Sequence, residues 1–384
     1  MGDIVVATEA LATGHLTRYA LETRYRKLHQ NIYIPKDFIL DARTRATAAW
    51  LWSRRAATLS GYSAAAVLGS KWLPDDAPAE LARVRQPAPP GIVVHTGAIA
   101  DDERHVVGDM TCTSVARTCY DMGRRQPLDS AIIRIDALLN CTCGTVDDVM
   151  TITDRYPGAR GIRRLREALA LADAGAESPQ ETRLRLVLIR GGLPRPATQI
   201  PVADEWGRVR RRIDMGWPDW MVGVEYDGHQ HWTSPEDHEN DIVRLEFLAS
   251  RGWTIVRVSA RQLRHRGPEI LVRTRNALHQ AGYPPLRHSP DDGFSLDFAD
   301  STRTTVGSAH REQTKAPPTM SGALLVRNYL TSVNWPMLVM PRRKKSAQPV
   351  RYFMNRSYTS WPCRAMASSL AASRLAAHMS SVRA

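Results

Sequence analysis

The segment from Ser178 to Val258 constrains the fold more than any other part of the chain, because its hydrophobic period changes repeatedly along it. Ser178, with Pro179 next and Glu181 three residues after the cap, is typical of a helix N-terminus. The further predicted elements are strands at 198–202, 209–215 and 221–227, a helix at 236–251 and a strand at 253–258. The predicted element order is therefore α-β-β-β-α-β.

The second and third of these strands carry three carboxylates. An antiparallel hairpin that turns between Asp219 and Trp220 places Asp214 opposite Glu225, with Cβ atoms roughly 4.5–5.5 Å apart. Glu225 and Asp227 are two residues apart on a strand and share a face. Like charges opposed on a sheet are destabilising, and a divalent cation is the economical compensation. A structural salt bridge is the alternative, which we disfavour because no lysine stands at a suitable spacing.

This element order with the spacing Asp-x10-Glu-x-Asp resembles the PD-(D/E)xK nuclease superfamily. The string Glu-Tyr-Asp-Gly-His-Gln-His at 225–231 is similar to uncharacterised nuclease-like domains related to the very-short-patch mismatch-repair endonuclease. The resemblance covers about 177–280. It implies a restriction-endonuclease-like domain at 177–285 that hydrolyses phosphodiester bonds with Mg²⁺ (or Mn²⁺) as cofactor.

The resemblance also implies roles for single residues. Asp214 and Glu225 would be metal ligands, joined by Asp227 at the place where the wider superfamily has lysine. Glu181 would be an accessory acidic group, and His231 would activate water or relay its proton. Glu181 is equally explained as a capping residue, and His231 as a surface loop histidine. The absent lysine leaves open whether catalysis is retained.

A short basic cluster stands near the start of the chain. Thr17 can cap a helix that runs into a strand or wing. Arg24, Arg26 and Lys27 follow it and are candidate contacts to nucleic-acid phosphate.

Residues 14–34 resemble the winged helix at the start of AbiEi-type antitoxins, although Asn31 stands where that pattern usually has glycine. The segments 59–69 and 113–121 are similar to that family's second region. The resemblance implies a winged-helix-like module at 1–50 and an AbiEi-like α/β region at 51–170. The alternative is a helical packing module without DNA contact.

The net charge of +13 is concentrated at one end of the chain. Residues 313–384 contain 11 Lys and Arg and no Asp or Glu. Residues 1–312 contain 41 basic and 39 acidic residues, a net of +2, so bulk charge does not by itself indicate a nucleic-acid partner. We predict that 286–384 is a basic, disordered tail.

Taken together, the sequence predicts an α+β protein with a winged-helix and helical module, a restriction-endonuclease-like domain and a disordered tail. It contains no apolar run long enough for a membrane span, its first residues lack a signal-peptide layout, and its five cysteines do not suggest a disulfide scaffold, so we expect a cytoplasmic protein. The expected function is a DNA-binding, metal-dependent endonuclease. The alternative is a non-catalytic transcriptional regulator or antitoxin of the AbiEi type with a degenerate nuclease fold and a toxin as partner. A homodimer is left open.

Overall fold

The computed structural model describes residues 4–74, 76–83, 87–228 and 235–284. In these residues the chain is a mixed α+β protein with twelve α-helices and three sheets. The predicted tail at 286–384 and the candidate His231 lie outside the described residues. Within the part that is described, no helix combines the length and the apolar character needed to cross a lipid bilayer.

The first sheet has three short strands in the order β1-β3-β2 and is combined with two short helices. Its elements are β1 (Val5–Val6), α1 (Ala7–Ala12), α2 (Arg18–Arg24), β2 (Tyr25–His29) and β3 (Ile32–Pro35). The Thr17 side chain accepts a hydrogen bond from Ala20 N at 3.1 Å, which confirms it as the cap of α2. Asn31 has a φ of 65° in the β2–β3 turn, a conformation that asparagine tolerates better than most residues. This tolerance accounts for asparagine where the resembling pattern has glycine.

The second sheet has five strands in the order β6-β5-β4-β8-β7. Its elements are α3 (Ala42–Trp52), β4 (Thr58–Leu59), α4 (Gly61–Val67), β5 (Ala79–Ala82), β6 (Ile92–His95), β7 (Arg104–Val107) and β8 (Met110–Thr113). Leu59, Leu81 and Cys112 are fully buried beneath α3 and α4. Four helices follow: α5 (Val115–Arg125), α6 (Leu128–Asn140), α7 (Val146–Arg155) and α8 (Ile162–Leu171). They pack around a core that includes Ile135 and Leu165.

The third sheet has the order β12-β11-β10-β9, with β11 and β12 parallel and the other pairs antiparallel. Its elements are α9 (Pro179–Arg190), β9 (Ala197–Ala203), β10 (Val209–Trp217), β11 (Val222–Asp227), α10 (Pro235–Ser250), β12 (Thr254–Ser259), α11 (Ala260–His265) and α12 (Gly267–Gln280). The α-β-β-β-α-β order predicted from the sequence is confirmed, with α11 and α12 added after it. The Ser178 hydroxyl accepts from Glu181 N at 3.2 Å, as a cap should.

Apolar side chains cover both faces of this sheet. Val224 and Val258 lie on the face that packs against α9 and α12. Ile213 and Ile255 lie on the other face, together with Leu248 of α10. Burial on both faces fixes which side chains can point between the sheet and α10.

Candidate functional site: a carboxylate and arginine cluster

The candidate site lies at the end of the β10–β11 hairpin that is away from its turn. The ladder of this hairpin pairs Met215 with Val224 and Trp217 with Val222, which is the register predicted from the sequence. The turn at Pro218–Trp220 is a single 3-10 turn. The ladder ends at Met215, one residue before it would pair Asp214 with Glu225.

Asp214 closes this gap with its side chain. Its Oδ2 accepts a hydrogen bond from the backbone N–H of Tyr226 at 2.9 Å, where the ladder has ended. Burial raises the pKa of Asp214, the Tyr226 N–H opposes that shift, and repulsion from Glu177 adds to it. A hydrogen bond to the backbone therefore holds Asp214 beside β11, and burial leaves its carboxylate poorly solvated.

Glu225 is almost completely buried and binds an arginine of α10. Arg244 Nη1 and Nη2 donate to the two carboxylate oxygens of Glu225 at 2.8 and 2.7 Å. Burial raises the pKa of Glu225 to about 7, against the attraction of Arg244 and with repulsion from Asp214. Asp214 and Glu225 are thus close enough to repel, as predicted. The salt bridge that was disfavoured because no lysine stands at a suitable spacing is present at Glu225, and its partner is an arginine from the next helix.

Asp227 belongs to a second ion pair on the same side of the sheet. Arg257 of β12 donates from Nη2 to Asp227 Oδ2 at 2.7 Å and from Nη1 to Asp241 Oδ2 at 2.6 Å. Arg257 lies opposite Glu225 in the parallel ladder, and its charge also acts on that carboxylate. Asp241 and Arg244 are three residues apart on α10 and so project toward the sheet together.

Glu181 reaches the cluster from the first turn of α9. Its Oε1 accepts from the Ser178 hydroxyl at 2.8 Å, and its Oε2 accepts from Glu177 N at 2.9 Å and from Gln199 Nε2 at 3.3 Å. Burial raises the pKa of Glu181 to about 7, the Glu177 N–H opposes that shift, and repulsion from Asp214 adds to it. The capping role is therefore present. The same carboxylate is also repelled by the charge of Asp214.

We call the following side chains the carboxylate site: Glu181, Asp214, Glu225, Asp227 and Asp241, with Arg244 and Arg257. This set contains five carboxylates and two guanidinium groups. Carboxylate oxygens are the donors that a hard divalent cation prefers, and the donor chemistry of Asp214 and Glu225 fits such an ion.

The arrangement of the remaining groups restricts which residues could serve as ligands. Both oxygens of Glu225 accept from Arg244, and Asp227 is engaged by Arg257. Among the residues that the structure describes, no three His, Cys, Asp or Glu side chains are grouped so as to hold a metal ion. Asp214, Glu225 and Asp227 are therefore not grouped as the three ligands that the sequence predicted.

The N-terminal candidates lie elsewhere, at the junction of α2 and β2. Arg24, Arg26 and Lys27 are all exposed. Arg26 Nη2 also donates to the carbonyl of Phe38 at 3.1 Å, so this side chain is partly committed to the fold.

Sequence reasoning missed the roles of Arg244 and Asp241, although the spacing of the two on one helix face carried a usable signal. Asp241 and Arg244 are three apart on α10 and therefore lie on one face of that helix. That face is opposite β11, whose acidic residues Glu225 and Asp227 are two apart. Arg257 also belongs to this cluster, through its contacts with Asp227 and Asp241.

Fold and site together define a mixed α+β protein with a buried carboxylate and arginine cluster at the open end of a β-hairpin. The chain is 30% identical over 191 residues to two uncharacterised proteins of Mycobacterium tuberculosis, one from strain CDC 1551 / Oshkosh and one from strain ATCC 25618 / H37Rv. The match covers 50% of this chain and 69% of each relative, and the chain belongs to the same family as these mycobacterial proteins. No protein-family model matches the chain, and no solved structure does.

Proposed function

We propose that this protein is a DNA-directed phosphodiesterase that works with a divalent cation, Mg²⁺ or Mn²⁺. The observation that carries the proposal is the meeting of Glu181, Asp214 and Glu225. These carboxylates come from a helix and two strands and are largely buried. Asp214 repels both glutamates, and the pKa of each glutamate is raised to about 7. Buried carboxylates that perturb one another are characteristic of sites that bind cations or transfer protons.

Each side chain has a role that follows from its surroundings. Asp214 and Glu225 would hold the cation, which when bound neutralises phosphate charge and lowers the pKa of a water molecule. Glu181, with a pKa of about 7, can accept or return a proton near neutral pH. Arg244 and Arg257 supply fixed positive charge to the patch, which is what the lysine of the resembling superfamily would otherwise contribute.

The fold supports the same proposal. The order α9-β9-β10-β11-α10-β12 is that of the resembling nuclease domains, so we propose a restriction-endonuclease-like domain from 177 to 285. The small sheet at the N-terminus, with α2 and the β2–β3 hairpin, supports a winged-helix module. In that module Arg24, Arg26 and Lys27 would contact DNA phosphates.

The test is cleavage of supercoiled plasmid by the purified full-length chain with Mg²⁺ or Mn²⁺. We expect nicked or linear product, and a loss of at least about 100-fold in rate for Asp214→Asn or Glu225→Gln. Asp219→Asn is the matched control, because Asp219 is an exposed carboxylate at the tip of the same hairpin. Its rate should equal that of the wild type. Equal loss in the control, or no cleavage with any divalent cation, would contradict the proposal.

A second candidate function has its own supporting observation. The bidentate contact of Arg244 with Glu225 and the bridging of Asp227 and Asp241 by Arg257 neutralise part of the site without a metal. This favours a DNA-binding regulator or antitoxin of the AbiEi type that retains the fold of a nuclease and has a toxin as partner. A wild-type chain that binds operator DNA tightly, cleaves nothing, and shows no Mn²⁺-dependent rise in Tm would support this candidate over the first.

A further inference from the structure

The hairpin of β9 and β10 carries a dense group of arginines on its outer part, residues 203–212, which we call the arginine arm. Four of the five residues from 208 to 212 are arginine, and Trp206 at the turn is 74% exposed. This arm was not singled out by the sequence analysis and takes no part in the ion pairs described above.

The backbone of the arm is well organised, so its side chains project from a defined ribbon. Asp204 N donates to Arg208 O at 2.8 Å, and Gly207 closes the turn with a φ of 78°. Asp204 Oδ1 accepts from the backbone N–H groups of Trp206 and Arg208 at 3.0 and 2.9 Å. The Asp204 carboxylate is therefore used by the turn itself.

Two arginines of the arm differ from the ion-paired arginines of the described chain. Arg117, Arg185 and Arg244 each bind carboxylates. By contrast, Arg208 and Arg210 are exposed, and neither forms an ion pair with any carboxylate in the described ranges. Like charges placed this closely repel one another. An arrangement of this kind is stabilised when a polyanion binds.

The arm leads directly into the carboxylate site. Arg212 precedes Asp214 by two residues on β10, about 7 Å along the strand. Arg244 Nη2 also donates to the carbonyl of Arg212 at 3.4 Å, so the base of the arm adjoins the site. A phosphate chain bound along the arm would continue over Asp214 and Glu225.

We infer that the arginine arm holds the phosphate backbone of duplex DNA and leads it to the carboxylate site. The ribbon from Arg208 to Arg212 is about 13 Å long, and that length of duplex carries roughly eight phosphate charges. A two-stranded ribbon is narrow enough to enter a major groove about 12 Å wide. In such a complex Trp206 at the tip packs against a sugar or a base. A flexible acidic peptide has neither group, so the exposed tryptophan favours DNA as the partner. The inference rests on the proposed action on DNA, but it does not require that the DNA be cut.

The test measures binding apart from cleavage. A fluorescein-labelled duplex is titrated with full-length protein in EDTA between 50 and 200 mM salt, and anisotropy gives the affinity. We expect Arg208→Ala with Arg210→Ala to weaken binding at least about tenfold at 100 mM salt and to lower the salt slope by about two, since each lost phosphate contact lowers it by about 0.9. Arg208→Lys with Arg210→Lys keeps the charge and should restore most of the slope.

The matched control removes the same charge elsewhere. Arg163→Ala with Arg166→Ala lies on the exposed face of α8 and should leave both the affinity and the slope unchanged. Loss in the control equal to that in the arm variant, or wild-type affinity in an arm variant of unchanged Tm, overturns the inference. Displacement of the duplex by polyglutamate as effectively as by unlabelled duplex also overturns it, in favour of an acidic protein partner.

The two proposals fail differently. If the wild type binds DNA through the arm and cleaves nothing, the phosphodiesterase proposal fails and the arm stands. If the wild type cleaves DNA and the arm variant binds and cleaves like it, the arm inference fails and the phosphodiesterase proposal stands.

Discussion

The junction between α6 and α9 offers a sharp test of how the third sheet is attached to the rest of the protein. Arg185 of α9 is fully buried and donates from Nη2 to Asp136 Oδ2 of α6 at 2.6 Å. Asp136 also accepts from the Thr182 hydroxyl at 2.9 Å and from Asp173 N at 2.7 Å. An ion pair this deep lies between two helices that the sequence assigns to different domains.

Asp136→Asn removes the charge and keeps the shape of the side chain. The Arg185 guanidinium is then left buried without a counter-charge, and breaking a buried pair in this way costs about 3–5 kcal/mol. At about 2–4 °C for each kcal/mol, Tm should fall by roughly 10 °C. Differential scanning calorimetry of the full-length chain at pH 7 measures this.

The chain supplies a matched control between the same two helices. Asp129 of α6 and Arg190 of α9 form an ion pair whose side chains are 53% and 31% exposed. Because such pairs contribute about 0–1 kcal/mol, Asp129→Asn should lower Tm by no more than a few degrees.

Burial raises the pKa of Asp136 to about 6, which indicates that loss of solvation outweighs its attraction to Arg185. The double variant Asp136→Asn with Arg185→Met should therefore recover to within about 1.5 kcal/mol of the wild type. If Asp136→Asn lowers Tm no more than Asp129→Asn, or if the double variant is as unstable as the sum of its singles, the reasoning is refuted.

Three further predictions concern other parts of the molecule. The pKa values of Glu181 and Glu225 are raised to about 7 from 4.5, so the folded state binds extra protons and stability should fall as pH rises from about 4.5 through 7. Glu181→Gln should flatten Tm against pH in that interval, and an unchanged slope would contradict this. A Cβ at Gly61 would lie 2.4 Å from the Glu80 carboxylate and φ there is +48°, so Gly61→Ala should cost at least about 1 kcal/mol in urea unfolding. Thr17→Ala removes the cap of α2 and should cost about 1 kcal/mol by the same measurement, whereas Thr17→Asn should be neutral.

Local sequence signals predicted the C-terminal half of the described chain closely. The cap at Ser178, the strand predicted at 209–215 (observed at Val209–Trp217) and the hairpin register were all predictable, because capping and a period of two act over a few residues. The five-stranded sheet was not, since its strands are short and three of its four pairings join segments that are distant in sequence or cross over other elements.

The sequence by itself predicted the register of the hairpin and the proximity of Asp214 to Glu225. Only the tertiary structure decided which charges meet them. Arg244 and Arg257 reach Glu225 and Asp227 because α10 covers the sheet and β12 adds to its edge in parallel. Those contacts join residues that are 19 and 30 positions apart along the chain and depend on packing between different elements. The spacing of residues within one element carries no information about such contacts. A buried charge pairs with whichever opposite charge the packing of other elements brings next to it.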